Sequence, residues 1–142
     1  MPIALEARLS LWAIASLIAS ATLAIAIARL ARHRFLEPDD RDPSHGQNSH
    51  IALGLQNQVQ NTLEQLVLAV IVYGAWIALV PVEWGNAVVP AAVLFAIGRM
   101  LFFIGYGNGA TARALGFTLT FYPTIALAIG VVAALVIYLA GL

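Results

Sequence analysis

Residues 51–80 read IALGLQNQVQNTLEQLVLAVIVYGAWIALV, and this stretch constrains the chain more than any other. Its second half has the composition of a membrane span, while its first half carries Gln56, Asn57, Gln60, Asn61 and Glu64. On a helix turning about 100° per residue these fall at about 0, 100, 40, 140 and 80°, so they share one broad polar face. At about 1.5 Å per residue the stretch reaches roughly 45 Å, against a hydrocarbon core about 30 Å thick. About ten residues must therefore overhang, and the polar end is the one that does. Glu64 lies about a turn inside the apolar boundary, where an ionised carboxylate costs on the order of 2.5 kcal/mol or more without a partner.

Composition places the whole chain in the same solvent. Of 142 residues, 61% are hydrophobic and 10% charged, where a soluble domain carries about 25% charged residues. The formal net charge of zero argues against a nucleic-acid partner. Cysteine is absent, so the chain supplies neither a thiol nucleophile nor a thiolate metal ligand, and any sulfur chemistry must come from a ligand. All seven basic side chains are arginines, the type suited to forked recognition of carboxylates.

Four apolar segments follow, at about 9–31, 51–80, 88–106 and 118–141, each near or above the ~17 residues a crossing helix needs. They predict an all-α domain over 1–142, an up-and-down bundle of four transmembrane helices. The first run is longer than a signal peptide's core and most basic residues follow it, so it reads as a retained span. Arg32, Arg34 and Arg41 in the first connection and Arg113 in the third put those connections in the cytoplasm. Both termini then lie on the other side, with Arg8 a contrary vote. An arginine-only, alanine-rich chain suggests a bacterial inner membrane.

The segment 33–50, HRFLEPDDRDPSHGQNSH, is the one long polar connection and reads as an irregular cytoplasmic loop. His45 and His50 match no metal-ligand spacing, so no metal site is expected. In the third span, Arg99 lies inside an apolar run and Tyr106 follows on the same face. Gly98 and Gly105 are also related by that spacing, which lets another helix approach closely. Counting about 1.5 Å per residue, Arg99, Tyr106 and Glu64 all fall in the inner half of the membrane, so Arg99 is the expected partner of Glu64. Pro123 predicts a kink in the last span.

Three pieces together resemble the MAPEG family, the membrane-associated proteins in eicosanoid and glutathione metabolism. They are RLARHRFLEPDD with Phe35, Pro38 and Asp40; NTLE with Asn61 and Glu64; and GRMLFFIGY, with Arg99 and Tyr106, followed by Arg113 and Gly116. The resemblance implies a homotrimer with glutathione as co-substrate, bound between neighbouring subunits near the cytoplasmic face, and a lipophilic second substrate arriving from the membrane lipids. It implies binding roles for Arg29, Asn61, Glu64, Arg99 and Tyr106, with Asn57 and Gln60 on the same polar face. Arg113 is the nearest match to the arginine placed by the glutathione sulfur, and Arg113, Arg99 and Tyr106 are the implied catalytic set. Catalytic members often carry arginine where this chain has Asn57 and Gln60, and some carry tyrosine where it has Phe117.

A positive charge beside a thiol lowers its pKa from about 8.5 and raises the reactive thiolate fraction, which is the chemistry such arginines supply. The implied activity is a glutathione-dependent transferase or peroxidase acting on a lipophilic electrophile. Two other readings stand beside it. One is a non-catalytic protein of the same fold, whose polar core is structural glue between helices. The other is a small proton-coupled exporter built on the intramembrane carboxylate of Glu64.

Overall fold

A computed structural model of the chain describes residues 2–41 and 49–141, and every regular element among them is helical. The helices are α1 (Pro2–Leu36), α2 (His50–Leu79), α3 (Val88–Gly105) and α4 (Ala110–Ala140), with short 3-10 turns among the described residues between them. All four are long and apolar enough to cross a membrane. α1 packs against α2 and α3, and α4 against α3 and α2, so α2 and α3 face each other across the diagonal of a square. Small residues set the spacing: Ala15 and Ala19 of α1 and Ala69 of α2 are fully buried around Tyr73 and Phe95.

Two helices extend beyond their apolar runs, because the runs measure bilayer thickness and not helix length. α1 starts at Pro2 and ends at Leu36, outside the expected 9–31. Its overhang is anchored by Arg8, whose guanidinium donates to the carbonyl oxygens of Ile77 and Val80 at the far end of α2. Helix C-termini leave such carbonyls without intrahelical partners, so Arg8 has a local task that explains its place against the charge bias. α4 starts at Ala110, not near 118. Gly109 makes the turn at φ +94°, a conformation side chains rarely adopt, and Arg113 consequently sits on the opening turns of α4 and not in a loop. α4 also runs unbroken through Pro123, where the hydroxyls of Thr120 and Thr124 donate to the carbonyls of Phe117 and Thr120 at 2.8 and 3.0 Å.

The close approach expected of Gly98 and Gly105 is made by α4. A Cβ at Gly98 would stand 2.8 Å from the Gly116 carbonyl oxygen, and one at Gly105 would stand 2.5 Å from that of Ala112. Backbone thus lies on backbone along this pair.

The connection between α1 and α2 is pinned at Asp40, which is only 3% exposed. Its carboxylate accepts from the Ser49 hydroxyl at 2.5 Å, the Ser49 backbone N–H at 2.7 Å and His33 Nε2 at 2.7 Å. Ser49 in turn caps α2, accepting from the Ala52 N–H at 3.1 Å. The two Ser49 bonds, then His33, hold the Asp40 carboxyl at about 2, below its ordinary 3.8. A lowered folded-state pKa contributes stability that is present above the unfolded value and lost as pH falls toward the folded one. Asp40→Asn is therefore expected to lower the melting temperature near neutral pH, with the difference from wild type shrinking between about pH 4 and 2. A difference that stays constant across that window would remove the carboxylate's role. His45 lies outside the described residues, and His50 opens α2.

Candidate functional site

Polar side chains emerge from α2 on two opposite faces. Gln56, Asn57, Gln60 and Glu64 are exposed on the outside of the chain. Gln58 and Thr62, about 150° or more from the middle of that stripe, are 5% and 0% exposed inside it. Asn61 stands at the border, half-buried. The stripe faces outward because Ala52, Leu66, Ala69 and Tyr73 take the inward face in the apolar and small-residue core.

Arg99 is fully buried, and its partner is not Glu64. Its guanidinium donates to Asn61 Oδ1 at 3.0 Å and to Thr62 Oγ1 at 2.8 Å, and lies over the Phe102 ring at 4.0 Å. Glu64 instead accepts from Gln60 Nε2 at 2.9 Å on the outer face. The expected pairing fails because α3 meets α2 on the Asn61 and Thr62 side, about 60° or more away from Glu64. An arginine has no acceptor, so Asn61 must turn its oxygen inward and its amide N–H groups away from Arg99. No carboxylate pairs with Arg99 among the described residues.

At the end of the bundle where α2 begins, α1, α2 and α3 enclose a groove of about 440 Å³. Arg29, His50, Gly54, Gln58, Phe103 and Tyr106 line it. Through Arg29, Ile51 and Leu55 it continues into a second groove of about 390 Å³ that adds Arg32, His33 and Leu36. Arg29 donates to Gln58 Oε1 at 2.8 Å and lies 5.2 Å from the centre of the Phe103 ring. Arg113 reaches the same region from α4, with its guanidinium 5.0 Å from the centre of the Tyr106 ring. Cation and phenol are therefore held together by stacking, a geometry worth about 0.5–1 kcal/mol at exposed sites.

Of the residues singled out in the sequence, Arg29 and Tyr106 share a groove, and Arg113 joins Tyr106. Asn57, Gln60 and Glu64 lie on the opposite, outer face of α2, and Arg99 is sealed inside with Asn61 at its edge. Gln58, Thr62 and Phe103 were missed. A signal for Gln58 was available: Arg29 sits in the apolar run of α1 and needs a polar neighbour, and Gln58 is the longer of the two polar residues, Gln58 and Thr62, that α2 turns away from the stripe. Among the described residues no group of histidines and carboxylates could hold a metal ion.

No curated protein and no solved structure matches the chain. The model of the MAPEG family matches residues 9–133, which reaches into all four spans and takes in the connection at Asp40 and every side chain of the candidate site. This four-helix integral membrane protein belongs to the MAPEG family.

Proposed function

We propose that the protein is a glutathione-dependent transferase or peroxidase acting on a lipophilic electrophile, and that it works as a homotrimer. The observation that carries this reading is the outward stripe of α2. Glu64 stands exposed within a membrane-spanning helix, where lipid contact would cost on the order of 2.5 kcal/mol or more. Its neighbour Gln60 supplies one hydrogen bond, which leaves the second carboxylate oxygen unmatched by any described residue. Another copy of the chain would both cover the stripe and complete it. The Arg29 groove lies on the opposite side of α2, so copies arranged in a closed ring can set one chain's groove against the next chain's stripe.

Such a composite site has the chemistry a tripeptide thiol needs. Arg29, without a carboxylate partner among the described residues, offers a positive charge to a ligand carboxylate. Asn61 offers N–H donors and Glu64 an acceptor for an ammonium group. Arg113 is the charge that lowers the thiol's pKa, with Tyr106 beside it as a hydroxyl donor. The thiolate then attacks the electrophilic atom of a substrate entering laterally from the lipid, and the displaced group leaves with a proton. The arginine-rich end, with Arg29, Arg32, Arg34, Arg41 and Arg113, faces the cytoplasm in this reading.

A structural reading of the polar core is favoured by one observation, the sealing of Arg99 on Asn61 and Thr62. Glutathione titration of the detergent-solubilised protein, followed by conjugation of a generic electrophile, separates the two. Glu64→Ala is expected to weaken glutathione binding about tenfold or more, the loss of a charge-assisted hydrogen bond. Absence of wild-type binding at millimolar glutathione would remove the enzyme and leave the fold.

A further inference from the structure

Arg29 is held in an unusual way for an arginine in a membrane helix. Its two closest holders are uncharged: the Gln58 side-chain carbonyl at 2.8 Å and the face of Phe103 at 5.2 Å. Phe103 is itself fixed from behind, with Arg99 5.6 Å from its ring centre and its side chain 7% exposed. Gln58 is 5% exposed, and its backbone carbonyl accepts from Thr62, the residue that also receives Arg99. The side chain therefore has little freedom. Both holders orient the guanidinium without neutralising it, whereas a carboxylate at the same place would hold it harder and cancel its charge.

We infer that Gln58 is a positioning residue. It fixes Arg29 at the wall of the groove while leaving its charge free for an anionic ligand. This rests on the glutathione reading for the identity of the anion, but not for the positioning itself. The amide also fixes its own direction: with Oε1 on Arg29, the Gln58 Nε2–H groups point away from the guanidinium, in a residue that lines the same groove as Arg29 and Tyr106. Glutamine at this position is thus selective in a way that neither leucine nor glutamate is. Leucine would free the guanidinium to move; glutamate would keep it in place and quench it.

The test is a pair of variants, Gln58→Leu and Gln58→Glu, in the full chain in detergent, with Arg29→Ala and the Arg29→Ala/Gln58→Leu double variant. Nitrogen NMR of the arginine side chains reads positioning without any ligand. The Arg29 Nη signals are expected to be distinct in wild type and in Gln58→Glu, and averaged by rotation in Gln58→Leu. Glutathione titration reads the consequence. Gln58→Leu and Gln58→Glu should each raise Kd about tenfold, although Gln58→Glu keeps the melting temperature, and the double variant should be no worse than Arg29→Ala alone. A merely structural glutamine predicts that Gln58→Glu, once folded, binds as wild type. Overturning results are unchanged Arg29 signals in Gln58→Leu, normal affinity in Gln58→Glu, or additive losses in the double variant. Arg29→Ala that loses binding while both Gln58 variants keep it would leave the glutathione site standing and remove Gln58 from it.

Discussion

Arg99→Ala is expected to lower stability by about 3–5 kcal/mol and, on the proposed function, to weaken glutathione binding more than tenfold. The stability loss has a volume origin. Arg99 is the largest fully buried side chain, and truncating it removes the packing over Phe102 and Phe103 and leaves a cavity between α2 and α3. The binding loss has a different origin, because Arg99 does not reach the surface. It acts through Asn61, whose oxygen it holds at 3.0 Å and whose N–H groups it therefore turns outward. Arg99→Met separates the two effects. It keeps most of the volume and removes a buried charge that has no carboxylate partner among the described residues, so stability should stay within about 1 kcal/mol of wild type. Asn61 would lose its orientation all the same, and affinity should fall as in Arg99→Ala. Equal binding by Arg99→Met and wild type would show that Asn61 needs no such control.

The contrast between Arg99 and Glu64 marks how far the amino-acid pattern can be read. Angles around α2 follow from spacing alone, so the polar face of Gln56, Asn57, Gln60 and Glu64 was legible, as were four spans and the small-residue contact at Gly98 and Gly105, whereas Asn61, read on the same face, stands at its border and turns its oxygen to Arg99. Which way that face turns is not contained in the angles. It is decided by which helices compete for the other side, and here the alanines and Tyr73 of α2 win the interior for themselves. Depth was equally deceptive: two side chains at similar height on α2 and α3 suggest a pair, yet these helices stand on a diagonal and meet only along a narrow strip. That strip holds Asn61 and Thr62, and the guanidinium took what it found. The ends of α1 and α4 were hidden for another reason. Hydropathy reports where lipid stops, whereas Arg8 on the α2 carbonyls and Gly109 at its positive φ decide where the helices do.

Gly116→Leu is expected to cost about 3 kcal/mol and to separate α3 from α4. At Gly116 even a Cβ would stand 2.6 Å from the Gly98 carbonyl oxygen and 2.7 Å from the Phe102 Cα, with no flexible side-chain end to give way. The two backbones must move apart, and the displacement passes directly into the neighbouring site. Gly105 meets Ala112 in the next contact along the pair, with Tyr106 and Arg113 each one residue beyond. Moving α4 outward thus draws Arg113 off the Tyr106 ring, so conjugation should fall together with the melting temperature even though Gly116 touches no ligand-facing group. Gly107 supplies the control, because a Cβ there meets nothing within 4 Å and its φ is ordinary, so Gly107→Ala should change stability by no more than about 0.5 kcal/mol. A Gly116→Leu protein that melts like wild type would mean that α3 and α4 are not in backbone contact, and the stacked Arg113 and Tyr106 would then lose the support that fixes their distance.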